Sequence, residues 1–65
     1  MIEIVNKYAK DLQPGDKING HEKGWLVVKS KRRLQLSTAT KIVWENGNED
    51  VFDSHALFPG VIVEL

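Results

Sequence analysis

The side chains able to do chemistry in this 65-residue chain are few. His21 and His55 are the only imidazoles, and there is no cysteine. Asp53-Ser54-His55 holds a carboxylate, a hydroxyl and an imidazole, the three types used in acyl transfer. Such groups act only when they converge in space, and adjacency along the chain does not bring that about. A capped turn accounts for the tripeptide better. Two histidines among scattered carboxylates have no metal-ligand spacing, and no thiolate is present to complete a set. The expectation is a protein without catalytic residues, metal site or cofactor.

Binding chemistry is better represented. Lys29-Ser30-Lys31-Arg32-Arg33 places four cations in five residues. At a hairpin tip Lys29, Lys31, Arg32 and Arg33 could line a phosphate backbone, with Trp25 or Trp44 stacking on bases. Against nucleic acid stands a pI of about 6.7, low for a domain dedicated to it. The aromatic residues offer a second chemistry. Trp25, Trp44, Tyr8 and Phe58 cannot all fit in the core of so short a chain. Trp44 and Phe52 are assigned to the core. Trp25 and Phe58, flanked by turns, are assigned with Pro59 and Tyr8 to a protein contact, because half-exposed aromatic clusters anchor interfaces.

A chain of this length makes one domain, residues 1–65, close to the lower size limit for independent folding. A hydrophobic content of 42% suffices for a small core and is too high for a disordered tail. No apolar run approaches a membrane span, and the alternating, charged N-terminus is unlike a signal peptide. A soluble, cytoplasmic protein is expected. The net charge is zero, yet the charges are segregated. Six basic residues and no acidic one fall between Lys23 and Trp44; five acidic residues and no basic one fall between Glu45 and Leu65. The segregation yields either a basic face for an anionic partner or a basic strand neutralised by an acidic neighbour.

The elements that must position these residues are strands. Lys41 to Phe52 reads as a hairpin, with two β-branched and aromatic runs divided by Asn46-Gly47, a dipeptide suited to tight turns. A three-residue loop, Asn46-Gly47-Asn48, pairs Val43 with Val51, Ile42 with Phe52 and Lys41 with Asp53. It is preferred to a two-residue loop because it sets apolar against apolar on both faces. Ile2 to Tyr8 alternates as a first strand, and Leu12-Gln13-Pro14-Gly15-Asp16 has the Pro-Gly signature of a type II turn. Lys17-Ile18 begins a short strand, a polar loop spans 19–24, and Trp25 to Lys29 is a strand. Lys31-Arg32-Arg33 is expected as the tip of a second hairpin, followed by one long bent strand from Leu34 to Trp44. Asp53 or Ser54 is placed to cap a single helical turn over His55 to Leu57, stopped by Pro59-Gly60. Val61 to Leu65 is a last strand, paired inside the sheet because an exposed one this apolar would aggregate.

Two segments resemble the Src-homology-three domain. Asp11-Leu12-Gln13-Pro14-Gly15-Asp16-Lys17-Ile18, followed after a polar loop by Gly24-Trp25, is similar to that family's "L-x-F-x-x-G-D-x-I" strand. Ala56-Leu57-Phe58-Pro59-Gly60-Val61-Ile62-Val63-Glu64-Leu65 is similar to its closing "G-x-F-P-x-x-Y-V-x-x-x", a short helical turn leading into a final strand. The tyrosines of the family's "A-L-Y-D-Y" have no counterpart, Leu26 stands where a second tryptophan would be, and Ile62 replaces the closing tyrosine. Of the ligand-contacting residues only Trp25 and Pro59 match. The resemblance implies a Src-homology-three-like small β-barrel. The combined expectation is an all-β barrel of five strands with one short helical turn before the last. Its function is expected to be that of a non-catalytic adaptor or regulator that binds another protein through an aromatic patch with a charged rim. The alternative is a nucleic-acid-binding barrel using Lys29 to Arg33. Self-association is a third way of completing so small a structure.

Overall fold

A computed structural model describes residues 1–35 and 38–65. Among them are six strands: β1 (Ile2–Tyr8), β2 (Lys17–Asn19), β3 (Trp25–Arg33), β4 (Ala39–Trp44), β5 (Glu49–Asp53) and β6 (Leu57–Glu64). Two single 3₁₀ turns, Ala9–Asp11 and His21–Lys23, interrupt them. All pairings are antiparallel, and the order across the sheet is β1-β6-β2-β3-β4-β5. The last strand is inserted between the first and second, so its backbone is paired on both sides. All-β architecture is therefore observed. Five strands and barrel closure are not: the sheet has six strands and stays open, with β1 at one end and β5 at the other. Main-chain bonds from Ala9 N to Ala56 O (2.9 Å) and Lys10 N to Ser54 O (3.1 Å) tie the turn after β1 to the turn after β5. Turn-to-turn contact takes the place of a closing ladder.

The core follows from alternation. Successive side chains of a strand point to opposite faces, and Leu26 with Val28 on β3 meets Thr40, Ile42 and Trp44 on β4, Ile18 on β2 and Val61 on β6. Leu12, from the turn before β2, completes it. The Gln13–Asp16 turn closes by Asp16 N donating to Gln13 O at 3.0 Å. The buried Asp16 carboxylate then accepts from Gln13 N and from the Lys7 ammonium, each at 2.9 Å. A charge this deeply buried is tolerated because it is paired and hydrogen-bonded.

The β4–β5 hairpin exists, but its register differs from the expected one. Val43 lies opposite Glu49, Ile42 opposite Asp50, Lys41 opposite Val51 and Thr40 opposite Phe52. The loop has three residues, but they are Glu45-Asn46-Gly47, closed by Trp44 N to Asn48 O (2.8 Å) and Gly47 N to Trp44 O (2.9 Å). A three-residue loop needs its third residue in the left-handed conformation, and Gly47, at φ +90°, meets that need without Cβ strain. Turn chemistry thus outweighs the apolar cross-strand pairs. Asn46 Oδ1, accepting from Asn48 N at 2.9 Å, adds to the same choice.

Three further expectations are revised. Lys31, Arg32 and Arg33 are not a hairpin tip; β3 continues through them, pairing Lys31 with Ile42, Arg32 with Lys41 and Arg33 with Thr40. The long strand from Leu34 accordingly begins only at Ala39, with Leu34 N bonded to Ala39 O at 3.0 Å. Leu36, placed within it, lies outside the described residues. The segment before β6 is a β-turn, not a helical turn: Ala56 N donates to Asp53 O (2.9 Å) and His55 N to Asp53 Oδ1 (2.8 Å). The helical turn that Asp53 or Ser54 was to cap does not form, and the Asp53 side chain instead braces the β-turn. The Ser54 hydroxyl points inward, 2.8 Å from Thr40 Oγ1. Pro59-Gly60 does not stop a helix but forms a bulge within β6. These two residues lie opposite the single Asn6, Pro59 brings no N–H, and Gly60 takes φ +66°.

Candidate functional site

A groove of about 600 Å³ opens where β2, the loop into β3, β5 and the start of β6 meet. Its floor is aromatic. Trp44 is buried, and Phe52 packs edge-to-face on it with centroids 6.4 Å apart. Phe58 stands edge-to-face on Phe52 at 5.0 Å. Rings so arranged set positive edges against negative faces, which fixes their geometry beyond simple burial. Trp25, 58% exposed, and Pro59 also line the groove. Trp25, Phe58 and Pro59, chosen from sequence as contact residues, are therefore brought into one groove.

Polar groups are sparse there and well placed. Trp44 Nε1 donates to Asp50 Oδ2 at 2.8 Å, satisfying the only polar atom of the buried indole. Asp50 makes no ion pair among the described residues, so its carboxylate presents a negative charge at the groove wall. Lys23 supplies the opposite sign among the lining residues, with the His21 imidazole beside it. The loop that carries them is held by its own main chain. Gly20 N donates to Gly24 O at 2.8 Å, Lys23 N to Gly20 O at 3.1 Å and His21 N to Asn19 Oδ1 at 2.9 Å. His21 is left with a positive φ of 56°, uncommon for a residue with a side chain. Asp50, His21 and Lys23 escaped the sequence reading as groove residues. Asp50 was read only as part of the acidic segment, and the loop residues carried no local sign of what lay opposite them.

Tyr8 is not part of this groove. It lies at the end of β1, half-exposed, edge-on to His55 at 5.9 Å. The basic run is not gathered into one loop. Because β3 is extended there, Lys31 and Arg33 share one face with Ile42 and Thr40, and Arg32 takes the other with Lys41. Lys29 falls at the irregularity between Val28 and Ser30. The Lys31 ammonium donates to Lys10 O. Arg33, Lys10, Thr38, Ser54 and His55 surround a small recess of about 140 Å³. Basic and acidic strands do approach each other, through the pair Lys41 Nζ to Glu49 Oε1 at 3.1 Å.

Asp53, Ser54 and His55 do not converge. Asp53 Oδ1 and His55 Nδ1 are 4.0 Å apart in solvent, whereas Ser54 is buried against Thr40. Among the described residues no three His, Asp or Glu side chains meet as a metal-ligand set. Among those residues, too, no helix is long and apolar enough to cross a membrane. No protein-family model matches the chain, and neither a curated protein nor a solved structure shows detectable similarity to it.

Proposed function

We propose that this chain is a non-catalytic protein-binding module, an adaptor or regulator, whose groove takes an extended apolar segment of another protein. The observation that carries the proposal is the convergence of Trp25, Phe58 and Pro59 over the Trp44–Phe52 floor in one concave site. Concave apolar sites with a few fixed polar groups are the usual form of a binding pocket, and exposed tryptophan is the residue most enriched at interface hot spots. The free charge of Asp50 favours a lysine or arginine in the bound segment next to its apolar residue. The resemblance to the Src-homology-three domain is in keeping with this reading, since Trp25 and Pro59 are the two residues that match its ligand contacts.

Selection from a displayed random-peptide library, with the intact chain as bait, tests this. Apolar peptides carrying a basic residue are expected, and Trp25→Ala should weaken them about tenfold or more while the far-ultraviolet circular dichroism is unchanged. Selected peptides that bind Trp25→Ala as well as wild type would remove the groove from consideration.

The recess edged by Lys10, Arg33 and His55 supports a second reading, a nucleic-acid-binding chain using Arg32 and Arg33 with Lys29 and Lys31. On that reading affinity for single-stranded nucleic acid falls steeply with salt, and charge reversal at Arg32 and Arg33 removes it. A flat salt response would end it.

A further inference from the structure

The two edges of the sheet are unlike. β5 is five residues long and carries Glu49, Asp50 and Asp53, so a second β5 laid along it would meet like charges. β1 is seven residues long and carries one acidic and one basic residue, Glu3 and Lys7, so its charges balance. Its Ile2 and Ile4 are 69% and 70% exposed, and it pairs with β6 on one side only. Natural sheets blunt such edges with charge, proline or a bulge. Here the bulge lies in β6, which leaves β1 regular from Ile2 to Tyr8.

The direction of the free backbone groups follows from one bond. Leu65 N donates to Met1 O at 2.8 Å, so Met1 faces β6. By antiparallel alternation Glu3 and Val5 do the same, and the N–H and C=O groups of Ile2, Ile4 and Asn6 point to the open edge. We propose that β1 pairs antiparallel with β1 of a second copy of this chain, about a twofold axis at Val5, joining two open sheets into one.

The strand is self-complementary in that register. Ile4 lies opposite Asn6 of the second copy and Ile2 opposite Tyr8, using the free backbone groups as hydrogen-bonded pairs. Ile2 thereby covers the exposed ring of Tyr8, and the apolar stripe of one copy continues into the other. Val5 meets Val5 across the axis in a non-hydrogen-bonded pair, and Glu3 meets Lys7 on both sides of it. Glu3 makes no ion pair among the described residues. The Lys7 ammonium gives one of its three donors to Asp16 and retains two for Glu3. A like-charge clash, the usual defence of an edge, is absent, and its opposite is present twice. No residue of β1 lines the aromatic groove, so both grooves stay open in the pair.

Sedimentation equilibrium and a single-cysteine variant test the pairing. The chain has no native cysteine, so Val5→Cys reports one contact alone. Non-hydrogen-bonded partners sit about 4.5 Å apart at Cα, within disulfide range. Wild type should sediment as a dimer that dissociates on dilution, and Val5→Cys should give a disulfide-linked dimer under mild oxidation. Ile4→Pro removes an edge-directed N–H and should raise the dimer dissociation constant about tenfold or more. If circular dichroism shows that Ile4→Pro has unfolded, Ile4→Lys, a substitution edges tolerate, is the deciding variant. A wild type that is monomeric up to about 1 mM, weaker than any functional self-association, overturns the proposal. So does a dimer that Val5→Cys does not cross-link, or one that survives a folded Ile4 variant.

Discussion

The two tryptophans divide the groove into a floor and a rim, and they have opposite energetic roles. Trp44 is 1% exposed, packed on Phe52 and hydrogen-bonded to Asp50, whereas Trp25 is 58% exposed at the head of β3. Both occupy strand positions in apolar runs. What separates them is the surroundings of each strand. Trp44 ends β4, a central strand flanked by β3 and β5, and alternates inward with Ile42 and Thr40. Trp25 begins β3 opposite Asn19, the last residue of the three-residue β2, where the neighbouring strand runs out and nothing covers the ring. A large aromatic stabilises the fold when a neighbouring strand continues past it, as β3 does past Trp44, and becomes available for binding when none does.

Truncation of the floor should cost most. Trp44→Ala is expected to lose about 3–5 kcal/mol, comparable to the entire stability of a domain this size, and to leave the chain largely unfolded in thermal melts. Asp50→Ala orphans the indole N–H of Trp44 and should cost about 1–2 kcal/mol by urea titration. An equal loss in a Trp44→Phe background would show that the hydrogen bond is not its source. Trp25→Ala inverts the pattern. Stability should change by about 0.5 kcal/mol or less, while groove binding falls about tenfold, as read by peptide titration. A large stability loss there would erase the distinction between floor and rim. Gly47→Ala strains the turn that closes on Trp44 and should cost about 1 kcal/mol, because a Cβ is disfavoured at positive φ. Smallest of all, Glu49→Ala removes a solvent-exposed partner of Lys41 and should cost about 0.2–0.5 kcal/mol, vanishing in high salt.

Much of the site was legible before the fold was known, for reasons visible in particular residues. Trp25 and Phe58 each sit beside turn residues, Gly24 and Pro59-Gly60, and an aromatic next to a turn is seldom covered on all sides. Trp44 and Phe52 lie inside alternating runs, where inward parity is set locally. Tyr8 offered the same kind of signal as Trp25 but ends up against His55, at a distance from the groove, because nothing in a single strand tells where its end will lie. The basic run misled for a related reason. Three consecutive cations suggest a solvated loop, yet an extended strand accommodates them by sending neighbours to opposite faces, and pairing with Thr40, Lys41 and Ile42 keeps the backbone extended.

Alternation, the Pro14-Gly15 and Asn46-Gly47 turns and the absence of helical spacing were enough to make this an all-β chain with a Trp44-centred core. These features act within a few residues, where side-chain period and backbone preference suffice. Tertiary structure decided the rest: that β6 enters between β1 and β2, and that the sheet stays open with β1 at one edge and the acidic β5 at the other. A period of two tells which face a side chain takes but is blind to a shift of two residues. The β4–β5 register is set by the closure of its own turn, whereas which strand lies alongside β6 is set by long-range packing that no local pattern contains.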